Sequence, residues 1–471
     1  MRKKLLIGGE WREAAETFKV KSPYTNEFLA EVYSANQSET EEAIAIAEEA
    51  SKKMRKLARF EIGKGLRKIT AAIEKRKEEF AQTIAEEAAK PIKLARGEVE
   101  RGIATFAWAA SEGERFAGEV VPVDTQAPGK GKTAWTLKIP RGVVYGITPF
   151  NFPMNLVAHK VAPALASKNA IIIKPSARTP LTSLLLGEVF LESDLPKGAL
   201  QIVPMDVKYI DGVLKDERIN MISFTGSAAV GWDLKQKCGK KAIALELGGN
   251  APVIVDETAD FKTSLNRTAM GAFVYSGQVC ISVQRVYVHE KIFDKWTSEF
   301  TEKAKGLKKG NPLDELTQLS VMIDENAAKK AESWIEEAVK SDAKLLCGGT
   351  REGIMLDATV LTDTSPEMRV VSEEIFAPVV VVEKFSDFAE AVDLSNQTKY
   401  GLQAGVFTND LANANFASEN LEYGGVMIND VPTFRVDNMP YGGVKDSGFG
   451  REGVRYAMEE MSETRLIVIN S

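Results

Sequence analysis

The segment "NAIIIKPSARTP", residues 169–180, contains the pattern of a buried strand followed by the start of a helix. Its run of isoleucines, ended by Lys174 and a proline, is typical of a strand that is buried on both faces. Thr179-Pro180 then starts a helix, because proline is favoured in the first turn of a helix. The segment therefore predicts a strand that leads through a turn into a helix, with Lys174 at the end of the strand.

The same alternation of short apolar strands and helices continues on both sides of this segment. The further predicted strands are "GVVYGIT" (142–148), "LQIVP" (200–204), "NMISFTG" (220–226) and "KAIALEL" (241–247). The pattern restarts after residue 248 with "APVIVD" (251–256), "VQRVYVHE" (283–290) and "APVVVVEKF" (377–385). Since this spacing suits βαβ units, the sequence predicts two α/β domains, each with a parallel sheet.

Three other regions complete the predicted organisation. Residues 38–117 are expected to be helical, with Ser38 and Glu41 as a capping box for the first helix. Residues 118–144 hold two β-rich runs around a Gly/Pro/Lys turn, which predicts a hairpin arm. The tail "ETRLIVIN" (463–470) is a lone apolar strand, and another subunit could supply the partner that it needs.

Composition narrows the class of protein. A chain of 471 residues is expected to form about two to four domains. A net charge of -6 favours neither nucleic acid nor a membrane surface as a partner, and no apolar run approaches a membrane span of about 20 residues. The first residues lack the apolar region of a signal peptide. Three widely spaced cysteines predict a reducing, cytoplasmic location, and with only two histidines no metal site is expected.

Two glycine-containing stretches bear on nucleotide binding. "GFGREG" (448–453) matches G-x-G-x-x-G, but only about 20 residues follow it, so a βαβ unit does not fit and a turn or packing role is expected. In "ISFTGSAAVG" (222–231) a strand runs into Gly226 and Ser227, a plausible N-cap, so free N–H groups there would suit a phosphate. Lys174 lies at a strand end, where nucleotides bind, although an ordinary turn and a solvated lysine also fit these signals.

The stretch "YSGQVCIS" (275–282) places Cys280 after small residues and without a histidine beside it. A thiol that acts on an aldehyde needs an oxyanion donor, a base and a hydride acceptor. Asn151 could be the donor or a helix N-cap, and Lys160, nine residues later, points roughly to the opposite side of the helix. Glu246 ends an apolar strand, where it is either a base of raised pKa in a cleft or a carboxylate paired with Lys or Arg.

Together, seven stretches resemble the aldehyde dehydrogenase superfamily over essentially the whole chain: "TPFNFP", "KPS", "FTGS", "LELGGN", "GQVC", "EEIFAPV" and "MPYGGVKDSGFGREG". The resemblance implies two Rossmann-like α/β domains and a small β element. The cofactor-binding domain would cover 1–117 and 141–247, and the catalytic domain 248–445. The oligomerisation element of a homodimer or homotetramer would cover 118–140 and 446–471.

The resemblance also implies a role for each matching residue. Cys280 would be the nucleophile that forms a thiohemiacetal and then a thioester, and Asn151 with the Cys280 N–H would bind the oxyanion. Glu246 would activate the deacylating water, with Lys160 helping to relay protons. The residues implied to contact NAD or NADP are Lys174, Ser176, Ala177, Gly226, Ser227, Glu374 and Phe376.

Two departures concern specificity. Ala177 stands where the family often has the glutamate that favours NAD, so both cofactors remain open, and Val279 stands where non-phosphorylating glyceraldehyde-3-phosphate enzymes tend to carry arginine. "NLVAHK", "GQVCISVQR" and the stretch from Phe434 to Glu463 look most like the lactaldehyde dehydrogenase branch. His159 or Arg435 could meet a polar or anionic substrate end.

The expected function is NAD(P)-dependent oxidation of a small (hydroxy)aldehyde such as lactaldehyde to its carboxylic acid. The alternatives are a non-phosphorylating glyceraldehyde-3-phosphate or semialdehyde dehydrogenase and a non-enzymatic structural member. Glu246 argues against a CoA-acylating enzyme, and "FTGS" and "KPS" argue against a thiol hydrolase.

Overall fold

The computed structural model describes residues 2–470. Residues 1 and 471, the outer ends of two predicted domain segments, therefore lie outside the described residues. The chain begins with five strands and four helices: β1 (Arg2–Lys3), β2 (Leu5–Ile7), β3 (Glu10–Arg12), β4 (Glu16–Lys21), β5 (Phe28–Ser34), α1 (Gln37–Lys56), α2 (Arg59–Lys75), α3 (Lys77–Ala88) and α4 (Ile92–Arg115). The four helices confirm the predicted helical region.

The capping box of α1 was predicted two residues too late. The Asn36 side chain accepts the backbone N–H groups of Ser38 and Glu39, and Glu39 accepts the Asn36 N–H at 3.0 Å. Asparagine is as favourable at the N-cap as serine. Asn36, two residues before the predicted capping position, therefore caps the helix, which begins at Gln37.

The first α/β domain confirms the predicted parallel sheet. After the strands β6 (Val120–Val121) and β7 (Lys132–Pro140), its elements are β8 (Val143–Ile147), α5 (Asn155–Ala166), β9 (Ala170–Lys174), α6 (Leu181–Leu191), β10 (Leu200–Ile202), α7 (Ile210–Lys215), β11 (Ile219–Thr225), α8 (Ala228–Lys237) and β12 (Ala242–Glu246). The spatial order of the parallel strands is β12-β11-β8-β9-β10. The order reverses between β8 and β11, and ligands bind at such a reversal, outside the carboxyl ends of the strands.

The second domain repeats the architecture with its own core. Its elements are β13 (Ala251–Val255), α9 (Phe261–Phe273), β14 (Val283–His289), α10 (Glu290–Lys305), α11 (Glu325–Lys340), β15 (Lys344–Cys347), β16 (Arg351–Glu352), β17 (Met355–Leu356), β18 (Thr359–Thr362), α12 (Arg369–Ser372), β19 (Val379–Phe385), α13 (Phe388–Asn396), β20 (Gln403–Phe407), α14 (Leu411–Asn420) and β21 (Gly425–Ile428). The sheet order is β15-β18-β19-β14-β13-β20-β21, with only the β15 pairing antiparallel.

The connection between the two sheets sets the position of the site. The chain leaves the carboxyl end of β12 at Glu246 and enters the amino end of β13 at Ala251 after only four residues. The carboxyl edge of the first sheet therefore faces the amino edge of the second. Cys280 precedes β14, and Glu374 and Phe376 precede β19, so these residues lie on that amino edge.

The last part of the chain divides between two sheets. Its elements are β22 (Gly448–Phe449), α15 (Val454–Glu460) and β23 (Ser462–Asn470). The tail strand β23 pairs antiparallel with β7 over nine residues, and β6 pairs with β7, so the predicted hairpin arm of the same chain supplies the partner. In contrast, β22 pairs with β12, and α15 packs on α5 and α4. The structure thus joins residues 448–460, expected in the oligomerisation element, to the first domain.

Candidate active site

The loop before Cys280 is held in an unusual backbone conformation. Three consecutive residues, Tyr275, Ser276 and Gly277, have left-handed φ angles of 49°, 53° and 68°. A Cβ on Gly277 would lie 2.0 Å from the Ala377 carbonyl oxygen. Left-handed non-glycine residues are costly and persist only where surrounding contacts fix them. The loop is therefore built to lie directly against the segment that carries Glu374 and Phe376.

Cys280 is partly buried and contacts a tyrosine that the sequence analysis did not select. Its Sγ lies 3.2 Å from the Tyr441 hydroxyl oxygen. Burial raises the pKa of the Cys280 thiol to about 12, and the hydrogen bond with Tyr441 acts in the opposite direction. The sulfur is thus held mainly as a thiol, and its ionisation depends on the groups around it.

Asn151 lies beside the Cys280 loop and does not cap a helix. Helix α5 begins at Asn155, with Met154 at the N-cap position. The Asn151 amide nitrogen donates to the Gln278 carbonyl at 3.0 Å, which fixes its orientation against the Cys280 loop. Among residues 2–470, the amide oxygen of buried Asn151 has no hydrogen-bond partner. The second amide hydrogen remains available to a reacting oxygen.

Glu246 is buried, with an exposed fraction of 3%, at the carboxyl end of β12. Within the described chain, neither of its carboxylate oxygens has a hydrogen-bond partner, so the expected alternative of a direct pair with Lys or Arg is not seen. A Cβ on Gly442 would lie 3.0 Å from Glu246 Oε1, so the carboxylate faces the backbone of Gly442. Burial, followed by the negative charge of Glu452, raises the pKa of Glu246 well above its usual value. This is the environment of a general base.

A second buried carboxylate, Glu452, organises the cations behind Glu246. Lys160 Nζ donates to Glu452 Oε1 at 3.0 Å and to Ser223 Oγ at 3.1 Å, and Arg435 lies 3.3 Å from Glu452 Oε2. Although burial opposes it, the positive charges of Lys160 and Arg435 hold the pKa of Glu452 below its usual value. Glu452 belongs to "GFGREG", for which only a turn or packing role was expected.

The turn or packing role expected for "GFGREG" agrees with the observed backbone. Gly448 and Phe449 form β22, and Gly450 and Gly453 have left-handed φ angles of 81° and 93°. The glycines let the chain turn twice and deliver Glu452 to the buried cations.

His159 is fully buried and forms a hydrogen bond within the protein core. Its Nε2 lies 2.8 Å from Asp437 Oδ1, and Arg101 donates to the same oxygen at 2.9 Å. Burial, aided by the charge of Arg435, lowers the pKa of His159. Although burial opposes it, the His159 hydrogen bond and the Arg101 charge hold the pKa of Asp437 below its usual range. His159 is therefore a neutral hydrogen-bonding group that positions Asp437.

The predicted nicotinamide-side residues lie on the amino edge of the second sheet. Glu374 accepts the Gly249 N–H at 3.0 Å, and burial raises the pKa of Glu374 to about 7. A Cβ on Gly248 would lie 2.3 Å from Glu374, so only glycine leaves room for this carboxylate. Phe376 has a φ of 54° and meets Phe150 edge to face at 6.0 Å.

The predicted adenosine and phosphate residues lie on the carboxyl edge of the first sheet. Lys174 is buried, which lowers the pKa of its amine, whereas Ala177 is exposed and Ser176 Oγ accepts the Arg178 N–H at 3.2 Å. Ser227 occupies the N-cap position of α8. In the described structure its side chain makes no capping hydrogen bond, and Thr225 Oγ1 is buried without a partner. The free N–H groups and the unused hydroxyl fit the phosphates of a dinucleotide.

No helix within 2–470 is long and apolar enough to cross a membrane. The same range contains no group of three or more His, Cys, Asp or Glu side chains that could hold a metal ion.

Fold and site together define a two-domain α/β protein whose cysteine lies where the edges of the two sheets face each other. The model of the aldehyde dehydrogenase family matches residues 11–467. The chain belongs to the aldehyde dehydrogenase family, which confirms the resemblance drawn from its motifs.

Three relatives show how close the match is. The chain is 42% identical to a 3-sulfolactaldehyde dehydrogenase of Priestia megaterium, over 99% of this chain and 98% of the relative. It is 40% identical to a lactaldehyde dehydrogenase of Methanococcus aeolicus, over 99% and 100%. The crystal structure of aldehyde dehydrogenase 21 from Physcomitrella patens, in complex with the reaction product succinate, matches with a TM-score of 0.98 and 45% identity, covering 100% of this chain and 98% of that one.

A further structural relative bears on the cofactor. The glyceraldehyde-3-phosphate dehydrogenase GapN from Methanocaldococcus jannaschii, complexed with NADP, matches with a TM-score of 0.93 and 41% identity, covering 98% of this chain and 100% of that one. The protein is thus an aldehyde dehydrogenase that uses NAD or NADP.

Proposed function

We propose that this enzyme oxidises a small hydroxyaldehyde such as lactaldehyde to the carboxylic acid through a covalent intermediate on Cys280. The observation that carries the proposal is the pairing of a thiol with a buried carboxylate that has no bonding partner in the described chain. Cys280 and Glu246 come from the facing edges of the two sheets. Such an arrangement supplies a nucleophile and a base without a histidine.

In the first half of the reaction, the Cys280 thiolate adds to the carbonyl carbon and forms a thiohemiacetal. The Asn151 amide, which already donates to the Gln278 carbonyl, would bind the oxyanion with its second hydrogen, together with the Cys280 N–H. NAD or NADP, when bound, would supply the hydride acceptor, and the substrate would then be left as a thioester on Cys280.

In the second half, Glu246 takes a proton from the water that attacks the thioester. The raised pKa of Glu246 suits a base that works near neutral pH. Lys160 lies close enough to lower the pKa of Glu246 by its charge and, bound to Glu452, helps to relay the proton.

Seven residues would hold the cofactor. The buried Lys174 and the adjacent Ser176 and Ala177 fit the adenosine ribose, Gly226 and Ser227 the pyrophosphate, and Glu374 and Phe376 the nicotinamide ribose. Ala177 places no carboxylate beside a 2′-phosphate, so NADP meets no repulsion there.

Two features support a substrate with a polar or anionic end. One relative is a 3-sulfolactaldehyde dehydrogenase, a second is a lactaldehyde dehydrogenase, and a third binds the reaction product succinate. Arg435, whose guanidinium stacks 3.6 Å from the Tyr441 ring centroid, brings a buried cation close to Cys280. Arg435 is therefore the candidate for contact with such a group, whereas His159 is fully buried and bonded to Asp437.

A semialdehyde or glyceraldehyde-3-phosphate is the second candidate substrate. The succinate bound to one structural relative and the name of the M. jannaschii relative favour it. Val279, which is buried, weighs against the phosphate, because it offers no charge beside Cys280. A non-enzymatic role is disfavoured since the thiol and the carboxylate are both in place.

We also propose that the protein is a cytoplasmic homodimer or homotetramer. The sheet formed by β6, β7 and β23 exposes a set of apolar side chains that a second copy would cover: Val120, Leu137, Leu466, Val468 and Ile469. Light scattering of the purified protein distinguishes the two states.

The decisive experiment is an aldehyde panel assayed with both NAD and NADP. It contains lactaldehyde, 3-sulfolactaldehyde, glycolaldehyde, succinic semialdehyde and glyceraldehyde-3-phosphate. We expect the highest kcat/KM with a three-carbon hydroxyaldehyde, and Cys280→Ser is the inactive control. A clear preference for succinic semialdehyde or glyceraldehyde-3-phosphate would establish the second candidate instead.

A further inference from the structure

Tyr441 connects the reactive sulfur to a buried cation. Its hydroxyl oxygen lies 3.2 Å from Cys280 Sγ, and the Arg435 guanidinium lies 3.6 Å from the centre of its ring. The side chain is only 3% exposed, and its backbone is fixed by two hydrogen bonds with Glu452, at 3.0 Å and 2.6 Å. The hydroxyl is therefore held in place beside the sulfur before substrate binds.

The direction of this hydrogen bond depends on the charge of the sulfur. With a neutral thiol, either Cys280 or Tyr441 can donate. A thiolate has no hydrogen, so Tyr441 must then be the donor. Hydrogen bonds to an ionised acceptor are roughly twice as strong as neutral ones. The contact therefore stabilises the thiolate more than the thiol.

Arg435 strengthens the donor. A cation over the face of an aromatic ring is attracted to the π electrons. Burial raises the pKa of Tyr441, and the Arg435 charge opposes that rise. A more acidic hydroxyl is a better hydrogen-bond donor. Glu452, 3.3 Å from Arg435, keeps the guanidinium over the ring.

We propose that Tyr441 is a catalytic residue that donates a hydrogen bond to the Cys280 thiolate and so makes the buried thiol reactive. The inference rests on the proposed role of Cys280 as nucleophile. The thiol proton passes from Sγ to solvent water, and Tyr441 keeps its own proton throughout. The sulfur lone pair then forms the C–S bond, and the hydrogen bond weakens as the sulfur loses its charge.

The test is the pH dependence of Cys280 alkylation in Tyr441→Phe. The change removes one oxygen atom and keeps the ring, so packing against Arg435 is retained. Iodoacetamide labelling of the Cys280 peptide is followed by mass spectrometry in the full-length protein, without aldehyde or cofactor. The exposed Tyr456, on α15, supplies the matched control Tyr456→Phe.

Because burial raises the pKa of the Cys280 thiol to about 12, the rates are compared below the midpoint, between pH 7 and pH 9. We expect Cys280 alkylation to slow about 10- to 100-fold in Tyr441→Phe, the fall in thiolate fraction that loss of a hydrogen bond to a charged group produces. The profile of Tyr456→Phe should match that of the unaltered protein. We also expect kcat/KM for aldehyde oxidation to fall about 10-fold or more below the midpoint, with KM for the cofactor unchanged.

Two results would overturn the inference. The first is the same rate of Cys280 alkylation in Tyr441→Phe and in the unaltered protein. The second is a lower rate with iodoacetamide but an unchanged rate of Cys280 oxidation by the smaller hydrogen peroxide, which would mark a packing role. Both leave the proposed function intact if turnover still requires Cys280. Conversely, turnover by Cys280→Ser would refute the proposed function, while the alkylation profile would still report on the hydrogen bond.

Discussion

Glu246→Gln should make the protein more stable at high pH while it removes turnover. The carboxylate is buried and has no bonding partner among residues 2–470, so its ionisation is unfavourable in the folded state. Burial and the charge of Glu452 raise its folded-state pKa above the unfolded value. A carboxyl with a raised folded-state pKa contributes stability below its unfolded pKa, and the contribution is lost as pH rises through the folded pKa.

The magnitude follows from the size of the shift. Each unit by which the pKa of Glu246 is raised costs about 1.4 kcal/mol once the pH exceeds the folded-state pKa. Glutamine avoids this cost because it does not ionise. Its buried amide adds a penalty of about 1–3 kcal/mol if it finds no partner, but that penalty is the same at every pH. The pH dependence therefore isolates the contribution of the charge.

Denaturant unfolding of both proteins from pH 4 to pH 9 measures this difference directly. The free energy of unfolding of Glu246→Gln, relative to the unaltered protein, should increase with pH and level off above the folded-state pKa of Glu246. In the same variant the pre-steady-state burst of reduced cofactor should remain, and steady-state turnover should fall about 100- to 10,000-fold. A stability difference that does not change with pH, or loss of the burst itself, would refute the reasoning.

Three further predictions concern the nucleophile, the cofactor and the loop. Cys280→Ser should abolish aldehyde oxidation, and calorimetric titration should show cofactor binding unchanged; any retained turnover contradicts the mechanism. Ala177→Glu should lower kcat/KM with NADP about 10-fold or more relative to NAD, since a carboxylate about 4 Å from a 2′-phosphate costs about 1–4 kcal/mol. Ala177→Gln is the neutral control, and equal losses in both variants would exclude charge as the cause. Gly277→Ala should lower the midpoint of thermal unfolding and the alkylation rate of Cys280, because a methyl group would lie 2.0 Å from the Ala377 carbonyl oxygen at a left-handed φ; an unaltered alkylation rate would show that the loop can relax.

The alternation of strands and helices could be predicted because each strand is a short apolar run with turn residues at its ends. "GVVYGIT", "NAIIIKP" and "NMISFTG" became β8, β9 and β11. The facing of the two sheet edges could not be predicted from these runs, because it depends on the four-residue connection between β12 and β13. That connection explains why Cys280 precedes its strand whereas Glu246 ends one.

A residue of the site could be predicted only where the sequence around it was unusual. Glu246 stood out as an acid in an apolar strand, and Cys280 as one of three cysteines. Tyr441 and Glu452 were missed since a tyrosine and a glutamate near glycines have many ordinary roles. Buried cations such as Lys160 and Arg435 require a negative charge close by. Glu452 supplies it, since its carboxylate pairs with both side chains.

The charges of the pocket explain how a nucleophile and a base share it without a histidine. His159 is bonded to Asp437, and His289 accepts the Lys291 N–H at the start of α10, so both imidazoles are engaged elsewhere. Burial is the main cause of the raised pKa of the Cys280 thiol, and the negative charge of Glu246 adds a smaller contribution in the same direction, so the two groups ionise together only at a cost.

We therefore expect the thiolate to form while Glu246 holds a proton. Once the sulfur is bound in the thioester it carries no charge, and Glu246 can ionise and accept a proton from water. The repulsion that opposes a doubly charged resting state is thus absent in the thioester, where Glu246 is needed as a base. A histidine in place of Glu246 would lose this coupling, because its protonated form would stabilise the thiolate and oppose departure of the hydride.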